Sequence, residues 1–417
     1  MAAQIKPGPS SNHDKFNSNR KPVLLAKLEG CSDHVNKAIL IPETDGVISV
    51  SSDRLFIHFR SVRVWLKRDS GQYWPSICKY LPSPAVDLLY RPTTRQLFVG
   101  QENGTISEFI LEEDFNCMES VGDILAHYGR ITGMIWTEIS IDGVLEQWIL
   151  STSRDKRFQY HNAKTTNPIG PPFVCTSWCT SLEYDLESAH VFVGDYAGNI
   201  SMLNIKAEGL QLVTTLTGHT ACIDKLVWDS SSRRLFSAGH DRLIIVWDIG
   251  GGQGTAYELH GHTNRVTSLA FVSAKNLLIS AGEDSIVIFW DLNADRKETP
   301  PWAESDNCET CSRPFLWNIT GIFERKQFGS RQHHCRSCGR ALCDKCSQDK
   351  STIPSMGFEL PVRVCKFCSN NIDHTPMAIF HDAKHSVTSI TMDLLRKCVL
   401  TIGQDRVIKI WDVSTLI

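Results

Sequence analysis

The chain has 417 residues, with 43 lysines and arginines against 46 aspartates and glutamates and a net charge of −3. That balance excludes the cationic field of a general nucleic-acid binder, and no run approaches the roughly 18 apolar residues of a membrane-spanning helix. At roughly 150 residues per domain, the length suits one large repeat architecture with a smaller module.

Met1 to Lys21 is polar, rich in Asn, Ser and Pro, and lacks the apolar segment of a secretion signal; residues 1–21 read as a disordered leader. Val23-Leu24-Leu25-Ala26-Lys27-Leu28 reads as an orphan strand. Beyond it, short β-branched alternating runs broken by turn residues recur about every 40 residues, the signature of propeller blades. Four weak copies come first, near Leu28–Trp65, Pro84–Leu111 (with Phe109 in the tryptophan slot), Leu125–His161 and Ser177–Ile205. In the first, Asp53 and Trp65 are twelve apart instead of six, so Leu55–Arg60 reads as a hairpin insertion. Lys67–Pro75 reads as an exposed loop carrying Tyr73 and Trp74.

Three copies are sharp. Gly218-His219 leads through Ser237 and Asp241 to Trp247; Gly261-His262 leads through Ser280 and Asp284 to Trp290; Thr401 and Asp405 lead to Trp411. In each the Asp precedes the Trp by six residues. Gly250–Thr255 lies between the first two and is glycine-rich, but a strand follows it where a phosphate-cradling loop needs a helix N-terminus; it reads as a linker.

Between Leu292 and Met377 the pattern stops. A polar connector, Asn293 to Pro301, is followed by Cys308-x-x-Cys311, Cys335-x-x-Cys338, Cys343-x-x-Cys346 and Cys365-x-x-Cys368, with 23, 4 and 18 residues between pairs. Fifteen cysteines, an odd total, argue against a disulfide scaffold and for a reducing compartment. The eight paired ones supply two closed four-thiolate sites, which suit two structural Zn2+ and leave no position for a catalytic water. The other seven (Cys31, Cys78, Cys117, Cys175, Cys179, Cys222 and Cys398) read as small buried hydrophobes. Spacing alone leaves RING, PHD-like and FYVE modules open.

The repeats resemble the WD-repeat family. The resemblance implies an all-β fold of seven four-stranded blades, closed where Val23–Leu28 completes the blade built from Val387 to Val413. It also implies structural tetrads of His219, Ser237, Asp241 and Trp247, and of His262, Ser280, Asp284 and Trp290. Arg331-Gln332-His333-His334-Cys335-Arg336 resembles the basic core motif of FYVE domains, with Gln332 where a second basic residue is usual. Arg363-Val364-Cys365 resembles their second motif, and Trp302-Ala303-Glu304-Ser305-Asp306 their acidic tryptophan motif with one residue more. Propeller segments 22–292, holding repeats 1–6, and 377–417, holding repeat 7, would thus flank a FYVE-type module at 300–371 inserted at a blade-to-blade loop, the arrangement of the WD-repeat and FYVE-domain proteins.

That resemblance implies one zinc on Cys308, Cys311, Cys343 and Cys346 and the other on Cys335, Cys338, Cys365 and Cys368. It implies binding of phosphatidylinositol 3-phosphate, with Arg331, His333, His334, Arg336 and Arg363 around the phosphate and Asp306 on inositol hydroxyls. Clustered guanidiniums suit a phosphomonoester on physical grounds as well. Phe328, beside Arg325 and Lys326, would enter the membrane. The expected protein is therefore a non-enzymatic adaptor, cytosolic and peripheral on early endosomes. Its propeller would hold protein partners such as signalling kinases or adaptors, and homo-oligomerisation would add avidity. A RING-like ubiquitin ligase with a propeller substrate receptor is the alternative; a nucleic-acid-binding zinc protein is a weaker rival.

Overall fold

The computed structural model describes residues 21–31, 34–42, 44–52, 61–141, 144–206, 209–250, 255–326 and 328–417. The expected leader up to Arg20, the expected insertion at Leu55–Arg60 and most of the Gly250–Thr255 linker lie outside them. Seven four-stranded antiparallel sheets follow one another around a ring. Blade 1 runs from His34 to Tyr80, blade 2 from Ala85 to Leu125, blade 3 from Ile131 to Val174 and blade 4 from Cys179 to Thr217. Blade 5 runs from Ile223 to Leu259.

Blade 6 is split. Val266–Val272, Leu277–Gly282 and Ile286–Asp291 form its first three strands, and Ala378–Asp382 its outer one. The cysteine-rich module is therefore spliced inside a blade, between the third and outer strands, and not at the blade-to-blade loop expected from the repeat boundaries. Blade 7 contains Val387–Asp393, Cys398–Gly403 and Ile408–Asp412, and Val23–Leu28 pairs along the last of these from Val23 opposite Asp412 to Leu28 opposite Ile408. The orphan strand thus closes the ring and removes an unpaired edge.

Apolar layers fill the spaces between blades. Phe236, Ala238 and Val246 of blade 5 pack with Leu269, Leu278 and Trp290 of blade 6. Val35, Val47 and Trp65 of blade 1 pack with Leu400, Ile402 and Ile410 of blade 7. Arg396 of blade 7 also donates to the Ile41 carbonyl at 2.9 Å across that junction. Tyr73 and Trp74, expected on a loop, sit on the outer strand Tyr73–Tyr80. Cys78 and Cys117 depart from the expected burial and are exposed.

Buried tetrads stiffen the blades. His219 Nε2 lies 2.7 Å from Ser237 Oγ, Trp247 Nε1 donates to the same oxygen at 2.9 Å, and His219 Nδ1 lies 2.9 Å from Asp241. His262, Ser280, Trp290 and Asp284 repeat this at 2.8, 2.9 and 3.0 Å. Two further histidines do the same without a preceding glycine: His127 with Ser151 and Asp155, and His385 with Thr401, Trp411 and Asp405.

The module is docked on the ring by backbone pairing. His260, just past the outer strand of blade 5, donates to Gly357 O and accepts from Glu359 N, both at 2.8 Å. Its ring stacks on Phe358 at 4.6 Å. The Arg296 guanidinium covers the Tyr257 ring at 3.5 Å. Gly357 has φ +86°, and a Cβ there would stand 2.4 Å from Glu258 O, so only glycine permits this approach.

Candidate functional site

Four tight turns present the cysteine pairs. Ser312 N bonds Cys308 O at 2.7 Å and Gly339 N bonds Cys335 O at 2.9 Å, folding each pair's sulfurs toward one point. Cys343 opens the 3-10 turn Asp344–Ser347, and Cys365 caps the short helix Lys366–Ser369, its sulfur accepting from Cys368 N at 3.4 Å. The sulfurs gather as two tetrads, Cys308, Cys311, Cys343 and Cys346, and Cys335, Cys338, Cys365 and Cys368, each within 4.8 Å.

A zinc–sulfur bond of about 2.3 Å makes the edge of a tetrahedral four-sulfur site about 3.8 Å. Cys311 to Cys343 at 3.6 Å and Cys338 to Cys365 at 4.0 Å bracket that edge. Burial alone would raise the Cys308 thiol, but the amides of Cys311, Cys343 and Thr310 aimed at its sulfur outweigh burial and bring it down to about 7. Cys335 is lowered likewise, against burial, by the amides of Cys365, Cys338 and Ser337. Burial and neighbouring thiols push Cys338 and Cys346 up, since further thiolates at this distance repel without a cation between them. The donor set fits one zinc in each tetrad.

The expected headgroup residues fall into two groups, because adjacent residues of the strand His333–His334 point to opposite sides. His334 stacks on Trp302 at 4.8 Å with 12° between planes and bonds the Ala303 carbonyl at 3.1 Å. Arg336 lies over the same indole at 4.8 Å. On the other side, His333 bonds Asp344, and Arg363 donates to Ser347 Oγ at 2.8 Å and lies 3.7 Å from Asp344. Arg331 is exposed at the start of the motif.

A cavity of about 550 Å³ gathers Trp302, Ala303, Asp306, Trp317, Gln332 and His334 among its lining. Asp306 is held there by Trp317, whose Nε1 donates to its Oδ1 at 3.0 Å. Neither Trp317 nor Asp344 was singled out from sequence, since both act across turns. Trp302 and Arg336 also line a second cleft, about 1020 Å³, whose far wall is the blade 5 edge at Tyr257, Glu258 and His260.

Next to this site lies an apolar projection. Asn318 caps helix α1 (Ile319–Arg325), accepting from Gly321 N at 2.9 Å, and Lys326 ends it in the left-handed region. Ile319 and Phe323, one turn apart, are exposed with Leu316 and Trp317, and Phe328 is 94% exposed. No helix among the described residues is long and apolar enough to cross a membrane.

Known proteins agree with this architecture. The sequence profile of the FYVE zinc finger matches residues 299–374, and that of the WD domain, G-beta repeat, matches 210–248 and 254–291. The human "WD repeat and FYVE domain-containing protein 2" is 48% identical over all of both chains. The human "WD repeat and FYVE domain-containing protein 1" is 46% identical over all of this chain and 97% of its own. The protein 2 of Caenorhabditis elegans is 39% identical over 95% and 94%. Among solved structures, the WD40 β-propeller domain of Doa1 superposes with a TM-score of 0.59 at 13% identity, covering 94% of this chain and 97% of that one, which speaks for the fold alone. With a seven-bladed propeller, two cysteine tetrads able to hold zinc and full-length relatives, the chain belongs to the WD-repeat and FYVE domain-containing family.

Proposed function

We propose that the protein binds phosphatidylinositol 3-phosphate through its zinc module and serves as a non-enzymatic scaffold on early endosomes, with the propeller holding protein partners. The observation that carries this reading is the cavity in which Asp306 and His334 meet beside the Trp302–Arg336 stack, next to the exposed apolar projection. Asp306, held by Trp317, accepts hydrogen bonds from inositol hydroxyls; a phosphate in their place would meet like charge. Arg336 and His334 supply donors on one side of the strand, and the exposed Arg331 adds a cation at the start of the motif. His333 and Arg363 supply them on the other once the phosphate displaces Asp344. The membrane contact is broader than Phe328 alone: Ile319, Phe323 and Leu316 join it, with Arg325 and Lys326 for anionic lipid. No finding favours the ubiquitin-ligase alternative.

Liposome flotation of the zinc-loaded full chain tests the proposal. Vesicles carry the 3-phosphate lipid, the 4-phosphate lipid, the 4,5-bisphosphate or none. Selective flotation on the first, lost in Arg336→Ala, is expected. Equal binding to all anionic vesicles, or to none, reduces the basic motif to surface charge.

A further inference from the structure

Blades 2 to 7 each place three residues at the same corner of one face. One precedes the inner strand, one sits two residues later at that strand's bulge, and one follows the second strand. The bulge recurs in all seven blades, for instance between Cys179 and Ser181, Ile223 and Lys225, and Val266 and Ser268. One backbone bond closes the corner in six of them: Glu102 N to Pro84 O, Arg154 N to Arg130 O, Tyr196 N to Trp178 O, His240 N to Cys222 O, Glu283 N to Arg265 O and Gln404 N to Ser386 O, at 2.9 to 3.1 Å. Of these six, only blade 5 fills all three positions with metal-ligating side chains, Cys222, Asp224 and His240, whose ligand atoms lie within 4.8 Å of one another.

The bulge residue shows why blade 5 is anomalous. In blades 4, 6 and 7 it is a threonine whose hydroxyl donates to the carbonyl of the facing strand: Thr180 to Gly194 at 3.1 Å, Thr267 to Ala281 at 3.2 Å and Thr388 to Ile402 at 3.1 Å. The register of blade 5 makes Ala238 the equivalent residue. A carboxylate there has no proton to give, and Asp224 Oδ2 is buried without a hydrogen-bond partner. A buried orphaned carboxylate oxygen is costly unless a cation or water meets it.

We infer that Cys222, Asp224 and His240 form a third metal site on the propeller, for a divalent ion of zinc type. Thiolate, imidazole and carboxylate together are a zinc donor set, and three protein ligands leave a fourth position for water. The Arg265 guanidinium is the competing cation, its Nη1 3.1 Å from His240 Nε2. Its Nε lies 2.9 Å from Glu283, which retains it when the imidazole turns to the metal. An ion here ties the loop entering blade 5 to the turn between its second and third strands. The site is independent of the lipid-binding module.

The test counts metal on the full chain by equilibrium dialysis against micromolar buffered zinc and mass spectrometry of the metal. Three zincs per chain are expected, falling to two in Asp224→Thr and in Cys222→Ser while the two cysteine tetrads stay loaded. Asp224→Thr installs the residue that blades 4, 6 and 7 carry, so the blade is kept, and circular dichroism checks it. Two zincs in the unaltered chain overturn the inference and leave His240, 3.2 Å from Asp224, as that carboxylate's counter-charge. Three in every variant overturn it too, placing the extra ion elsewhere.

Discussion

Ser237 shows how one hydroxyl organises a blade. His219 Nδ1–H donates to Asp241, so Nε2 accepts from Ser237 while the same serine oxygen accepts from Trp247. Ser237→Ala leaves two buried polar groups without partners, and a loss of about 1–3 kcal/mol in unfolding free energy is expected, read by urea denaturation. At the candidate lipid site, Trp317→Phe keeps the ring but removes the indole donor that positions Asp306. Headgroup selectivity should fall several-fold while binding to anionic vesicles in general changes little, as flotation on the 3- and 4-phosphate lipids would show. Equal losses on both would make Trp317 a membrane contact only.

Helix α1 is an element whose apolar residues have nowhere to go within the module. Phe323 is 77% exposed, and Phe328 more so. Burying one large apolar side chain is worth roughly 1.5–3 kcal/mol, so Phe323→Ser with Phe328→Ser should weaken vesicle partitioning at least tenfold without altering zinc content. The zinc knuckles are the other decisive elements. The module core gathers Phe315, Leu342, Ile353 and Val364 around the cysteines themselves, too little to fold unaided. Chelation should abolish amide-exchange protection across 300–371 while the inner strands of blades 1 to 5 keep theirs; uniform loss would show that the ring depends on the module.

The whole molecule should be acid-sensitive for identifiable reasons. Desolvation pushes His161 and His381 down to about 4, from 6.5. A depressed folded value means that stability is present above the unfolded pKa and is lost as pH falls through the folded one. Melting temperature should therefore drop between pH 6.5 and about 4, and His161→Phe should reduce the slope of that drop. Below this range the tetrad aspartates add to it. Burial alone would raise Asp241 and Asp284, but their histidine and backbone hydrogen bonds hold both below the usual 3.8.

Strand periodicity, the Asp-to-Trp spacing and the paired cysteines are local patterns, so the sequence by itself determined the blade repeat, the orphan strand Val23–Leu28 and two four-thiolate sites. The family resemblance supplied the ring's closure and the pairing of cysteines into tetrads that the structure shows. His127 and His385 escaped because Ala126 and Lys384 stand where glycine marks the other tetrads. Which residues meet across strands was decided only by tertiary structure, because register and bulges set it and neither leaves a local mark. That is how Cys222, 18 residues before His240, came to lie beside it, how Trp317 reached Asp306, and how the strand alternation turned His333 and His334 to opposite sides. The splice within blade 6 and the docking of Gly357 on Glu258 belong to the same class: contacts between segments far apart in the chain, set by how the ring and the module pack.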